Sequence, residues 1–92
     1  MIIEYDNAKD KANQAKHGIS LAAAKLVDWD NAFSYEDKRF AYGEVRMHAL
    51  AFLEAKLMSI IYVDHEDHLR VISMRKASKK EYKDYGNYYR KR

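Results

Sequence analysis

Two kinds of reactive side chain are interspersed between Glu44 and Arg75 of this chain. Glu44, His48 and His65 can move a proton, as can His17 nearer the start. Arg46, Arg70 and Arg75 can hold an oxyanion, because a guanidinium presents a planar fork of donors that fits phosphate oxygens. Proton carriers beside guanidinium groups suit acid–base chemistry at a phosphate, where charge builds on oxygen as bonds change. Thiolate chemistry and disulfides are excluded, since the chain has no cysteine. A cysteine-free chain suits a reducing cytosol, and a cytoplasmic protein is expected.

Spacing sorts these residues. Glu44, Arg46 and His48 lie two apart, so a strand would put all three on one face. The plainest alternative for Glu44 and Arg46 is an ion pair of little energetic weight. His48 shares its face with Leu50 and Phe52, and a packed core histidine is its simplest reading. Arg70 and Arg75 are an odd number apart, so a regular strand would set them on opposite faces. They share a site only if a bulge intervenes or if Arg75 lies beyond the strand end, and the capping residues at Ser78 favour the second. The run Asp64-His65-Glu66-Asp67-His68 holds possible metal ligands. With no HExxH spacing and no cysteine beside it, a polar hairpin loop is expected there, with no metal and no cofactor.

Charge is strongly polarised. From Leu69 to Arg92 there are nine Lys or Arg against two acids, whereas residues 1–68 carry eight basic and twelve acidic residues. The net charge of +3 hides this contrast. A basic segment of this density suits a polyanion, of which nucleic acid is the commonest. Lys76, Lys79 and Lys80 are its candidate contacts. Lys16 and His17, just before Gly18, most simply end a helix, with cations at its negative end and glycine in the left-handed turn.

The elements that must position these groups follow from pattern. Ile2–Tyr5 reads as a short strand. Asp6 caps a polar helix over 7–17, and Ser20 caps an apolar helix from Leu21 to Val27. A further strand is expected around Ala32–Tyr35. From Glu44 the period becomes two, with Val45, Met47, Ala49 and Ala51 on one face. The run Leu57–Val63 is almost continuously apolar, as in a strand buried on both faces. Leu69–Met74 is the next strand. Ser78-Lys79-Lys80-Glu81 is a capping box that opens a final helix, on which Tyr82, Tyr85 and Tyr89 make one stripe. A single α+β domain over 1–92 is expected: a short N-terminal strand, two helices, an antiparallel sheet of three to four strands, and a C-terminal helix. No apolar run is long enough for a membrane span, and no secretory segment is read near Met1.

The same residues carry a resemblance. Tyr5-Asp6, Ala8-Lys9, Asn13 and Lys16-His17-Gly18-Ile19-Ser20 resemble the opening motif of the BrnT toxins of bacterial type II toxin–antitoxin systems. Glu44-x-Arg46, His65-Glu66, and the run from Arg70 to Ala77 with Glu81 and Tyr82 resemble that family's later motifs. The resemblance covers about residues 2–86. It implies a RelE-like fold and a metal-independent endoribonuclease that cleaves RNA and halts translation. Arg70, Arg75, Glu44, Arg46 and His65 would then be its catalytic residues, and Lys76, Lys79, Lys80, Lys16 and His17 would contact RNA. It further implies a BrnA-like antitoxin that forms a heterotetramer with the toxin and alone touches operator DNA. Without the resemblance, a non-catalytic nucleic-acid-binding module or a basic protein-interaction subunit would account for the charge equally well.

Overall fold

In the computed structural model, which describes residues 1–91, the chain runs β1 (Ile3–Glu4), α1 (Asn7–His17), two 3-10 turns (Leu21–Leu26 and Trp29–Asn31), β2 (Phe33–Glu36), β3 (Met47–Leu53), β4 (Lys56–Asp64), β5 (Leu69–Lys76) and α2 (Lys79–Arg90). Arg92, part of the basic tail, lies outside the described residues. Among the described residues no helix is long and apolar enough to cross a membrane.

The α+β expectation holds, and the sheet is larger and more mixed than expected. It has five strands in the order β1-β5-β4-β3-β2. β2 to β5 pair antiparallel, while β1 lies parallel to β5 through Ile3–Leu69 and Glu4–Arg70. The helix expected from Leu21 to Val27 is a 3-10 helix over Leu21–Leu26. Residues three apart eclipse in that geometry, which stacks Leu21, Ala24 and then Val27 on one side. All three are buried.

The period-two reading of β3 is realised from Met47 onward. Met47, Ala49, Ala51 and Leu53 face one core with Met58, Ile60, Tyr62, Leu69, Val71 and Met74, under the 3-10 segment and Trp29. The opposite face carries His48, Leu50, Phe52, Leu57, Ser59 and Ile61. α2 covers only part of it. Tyr82 and Tyr85 pack edge-on against Phe52, and the Tyr85 and Tyr89 hydroxyls donate to the Asn31 carbonyl. The remainder of this face is open, and the reactive groups collect there.

Two local devices set that opening. β1 is only two residues long, so among the described residues the outer edge of β5 beyond Arg70 has no strand partner. α1 fills the gap. The buried Asn13 amide donates to the Met74 carbonyl at 2.8 Å and accepts from the Met74 N–H at 3.1 Å, as a neighbouring strand would. The second device is a β-bulge. Ile61 pairs with Ser73 and Tyr62 with Val71, leaving Ile72 as an extra residue in β5.

Candidate active site

The bulge settles the relation between the two arginines. Arg75 pairs with Ser59 and Arg70 with Val63. Ser59 and Val63 are four apart on β4 and share a face, so Arg70 and Arg75 do as well. Arg75 lies within β5, not beyond its end, so the bulge is the operative device. The two backbone positions are nevertheless separated by roughly 13 Å of strand rise.

Arg75 borders a cavity of about 420 Å³ on the open face. Lys9, Lys16 and His17 come to it from α1, His48 from β3, Ser59 from β4 and Ser73 from β5, and Arg39 closes it from the loop after β2. α1 brings its C-terminal turn here because Asn13 fixes it to Met74 and Gly18 ends it, with φ of 69° and its N–H on the Gln14 carbonyl.

Behind the cavity wall lies a closed polar network. Arg75 forks onto Glu81, Nη1 to Oε1 at 2.7 Å and Nη2 to Oε2 at 3.1 Å. Glu81 also accepts from the Ser78 N–H, completing the expected capping box, and from Ser59 Oγ at 3.2 Å. His48 Nε2 is 2.6 Å from Ser59 Oγ and 3.3 Å from Glu81 Oε2, and its Nδ1 is 3.1 Å from the Tyr35 hydroxyl. Every donor is used once if Tyr35 donates to Nδ1, Nε2–H donates to Ser59, and Ser59 donates to Glu81. That assignment makes His48 a neutral imidazole protonated on Nε2.

The electrostatics agree. Burial pushes the His48 pKa below its usual value, against the opposing pull of Glu81. Burial alone would raise Glu81, but the Arg75 hydrogen bonds, the Ser78 amide and the Arg75 charge outweigh it and hold the carboxyl at about 2. Burial, then the Glu81 and Asp84 charges, raises the Tyr35 hydroxyl. Arg39 is held in the same manner as Arg75. Asp37, buried after β2, takes Nε at 2.8 Å and Nη2 at 2.9 Å, and the Tyr42 hydroxyl at 3.0 Å. The Asp37 carboxyl is held well below its usual range, chiefly by the Arg39 side chain. Two guanidiniums thus reach the cavity on carboxylate props, with two lysines beside them.

Comparison with known proteins now bears on this site. Residues 5–81 match the family described as ribonuclease toxin, BrnT, of type II toxin–antitoxin system. The chain belongs to the BrnT family. A solved structure similar to it is the 1.1 Å crystal structure of the Brucella abortus ribonuclease toxin BrnT, with 28% sequence identity and a TM-score of 0.68 over 86% of this chain and 99% of that one. No curated protein matches the chain. BrnT membership makes this a toxin of the ribonuclease type and implies an antitoxin partner.

The expected site residues fall into four places. Arg75, Lys16 and His17 border the cavity. Glu44, Arg46 and Arg70 form a separate cluster. Glu44 accepts from Arg70 Nη2 at 2.6 Å and from Arg46 Nε at 3.2 Å, and Arg46 lies 4.1 Å from the Tyr42 ring centre. Glu44 and Arg46 precede β3 and sit in the loop joining it to β2. His65 lies in the β4–β5 hairpin, its ring stacked on His68 at 4.4 Å. Lys76, Lys79 and Lys80 stand exposed at the end of β5 and the start of α2, and Lys80 is paired with Asp84. The basic C-terminal segment is therefore partly neutralised by its own fold.

Sequence reasoning gave no site role to Tyr35, Arg39 or Ser59, read Glu81 as a helix cap and a motif residue, and favoured a packed core role for His48. One signal was available for Ser59. It is the single polar residue in the apolar run LMSIIYV, and it faces His48's side of the sheet rather than the main core. A serine in so apolar a strand needs a partner, and here it has two.

Proposed function

We propose that this chain is a metal-independent endoribonuclease whose reactive centre is the Arg75 cavity. One observation carries the reading. His48 and the carboxylate-propped Arg75 line one cavity with Lys9, Lys16 and Arg39, and the Tyr35 hydroxyl reaches His48 Nδ1 from outside that lining. The lining presents cations rather than a set of carboxylates, which favours charge stabilisation by side chains over divalent ions.

In this mechanism Lys16, Arg39 and Lys9 seat the RNA backbone and Arg75 faces the phosphate under attack. The 2′-oxygen attacks the neighbouring phosphorus. Tyr35 takes the 2′-proton as its own proton passes to His48 Nδ1, and Glu81 stabilises the imidazolium so formed. Charge that accumulates on the phosphorane oxygens falls on Arg75. The bond to the 5′-oxygen breaks, and His17, on the cavity border, supplies its proton. The products are a 2′,3′-cyclic phosphate and a free 5′-hydroxyl. Arg70, with Glu44 and Arg46, extends the same face and takes a phosphate further along the strand, with Lys76, Lys79 and Lys80 as outlying contacts. His65 belongs to the far hairpin and is the weakest of the expected catalytic residues.

The toxin is neutralised by a BrnA-like antitoxin encoded beside it, assembled with it as a heterotetramer. Acidic residues of that partner meet Arg70, Arg75 or the segment from Lys76 to Lys83, and operator DNA is bound through the antitoxin alone. Expression with and without the neighbouring gene tests this reading. Growth arrest with RNA loss, relieved by the partner, is expected; normal growth with abundant folded protein would contradict it.

A further inference from the structure

A second cleft, of about 520 Å³, lies on the other side of Tyr35. Phe33 and Tyr35 form its floor on β2, and Lys80, Asp84, Asn87 and Tyr88 form its wall on α2. Its volume is within the range of roughly 300–1,000 Å³ typical of small-molecule sites. Three of its lining residues are aromatic. Phe33 and Tyr88 stack at 4.3 Å with ring planes 13° apart, and Tyr35 tilts against Phe33 at 5.2 Å. Its polar lining includes the Lys80–Asp84 pair and Asn87, whose Oδ1 accepts from Arg90 Nη2 at 3.1 Å and whose amide N–H groups can donate.

Tyr35 ties this cleft to the reactive cavity. Its ring borders the aromatic cleft, while its hydroxyl is 3.1 Å from His48 Nδ1. A ligand that spans both must combine an anionic group for the cationic cavity with a flat, hydrogen-bonding ring for the aromatic one. A ribonucleotide has that composition. We propose that the Phe33–Tyr35–Tyr88 cleft is a nucleobase subsite, holding the base next to the phosphate that lies on Arg75. The inference rests on the ribonuclease reading for the position of that phosphate. Aromatic rings accept any base by stacking, whereas Asp84 and Asn87 read its hydrogen-bonding edge. The subsite therefore sets which base flanks the cut.

Binding of an uncleavable probe separates this inference from catalysis. The probe is a short 2′-O-methyl RNA, compared with the same chain carrying one abasic position. NMR of the ring protons of Tyr35 and Tyr88 follows the titration. The base-bearing probe is expected to bind at least fivefold more tightly and to shift both rings. Asn87→Ala and Tyr88→Leu should each erase that advantage while abasic binding stays within twofold. Asn87 is exposed, so its substitution leaves the fold intact. Equal affinity for the two probes, or ring signals that do not move, would overturn the subsite even if the protein cleaves RNA. Ring shifts in a protein that cleaves nothing would keep the subsite and sink the ribonuclease reading.

Discussion

Arg75 and Glu81 meet through two parallel hydrogen bonds, at 2.7 and 3.1 Å, between β5 and the first turn of α2. The pair joins the sheet to the helix and aims a guanidinium at the open face. Its dual task separates two substitutions. Arg75→Ala is expected to lower RNA cleavage on the order of 100-fold, the cost of losing a transition-state cation. Arg75→Lys keeps charge without the fork and should lose about tenfold. Lys25→Ala, on the exposed part of the 3-10 segment, should stay within about twofold by the same scale. Equal losses at Arg75 and Lys25 in a single-turnover assay would show that only general phosphate affinity is at work.

Glu81 also couples stability to acid. Its carboxyl titrates at about 2 in the folded chain, against an ordinary value of 4.5. A lowered carboxylate pKa stabilises the fold above the ordinary value, and that contribution is lost as pH falls from about 4.5 toward about 2. The Asp37 carboxyl, also lowered, acts in the same direction. Urea denaturation of the native chain and of Glu81→Gln at several pH values should converge as the pH drops, by on the order of 2 kcal/mol. A constant gap across that window would show that the carboxylate charge is not what Arg75 stabilises.

Asn13 gives a test of how the site is built. Its side chain satisfies both backbone groups of Met74 and also donates to the Ile19 carbonyl at 2.8 Å. Asn13→Ala leaves those groups without their partner and should cost about 1–3 kcal/mol. It should also free the α1 turn that carries Lys16 and His17, so KM for RNA rises in protein that remains folded. Loss of stability with KM unchanged would place the phosphate contacts elsewhere.

His48 determines the acid limb of the rate profile. Burial lowers its pKa, so the neutral, proton-accepting form persists below the ordinary value of 6.5. The fall in cleavage on the acid side should therefore begin below about 6.5. His48→Gln should remove that limb and most of the rate. An acid limb unchanged by the substitution would assign it to another group.

Much of this fold is written in local pattern. The capping box at Ser78 and the left-handed Gly18 are set by neighbours in sequence and lie where the pattern puts them, whereas the alternation expected from Glu44 begins only at Met47, with Val45 exposed. The site is less legible because pairing brings its parts together. Glu81 is readable as a helix cap, but its hold on Arg75 and Ser59 depends on how α2 lies on the sheet. The odd spacing of Arg70 and Arg75 shows that a bulge or a strand end is needed. Which one occurs is decided by where β5 pairs with β4. Tyr35 and His48 meet only because β2 pairs with β3.

The most direct measurement is cleavage of a defined RNA in excess EDTA, with the ends of the products identified. A 2′,3′-cyclic phosphate and a 5′-hydroxyl are expected from the native chain, with the rate unchanged by EDTA. Both products should be nearly abolished in Arg75→Ala and His48→Gln. Cleavage that stops in EDTA and returns with a divalent ion, or that leaves a 5′-phosphate, would contradict attack by the 2′-oxygen in the Arg75 cavity.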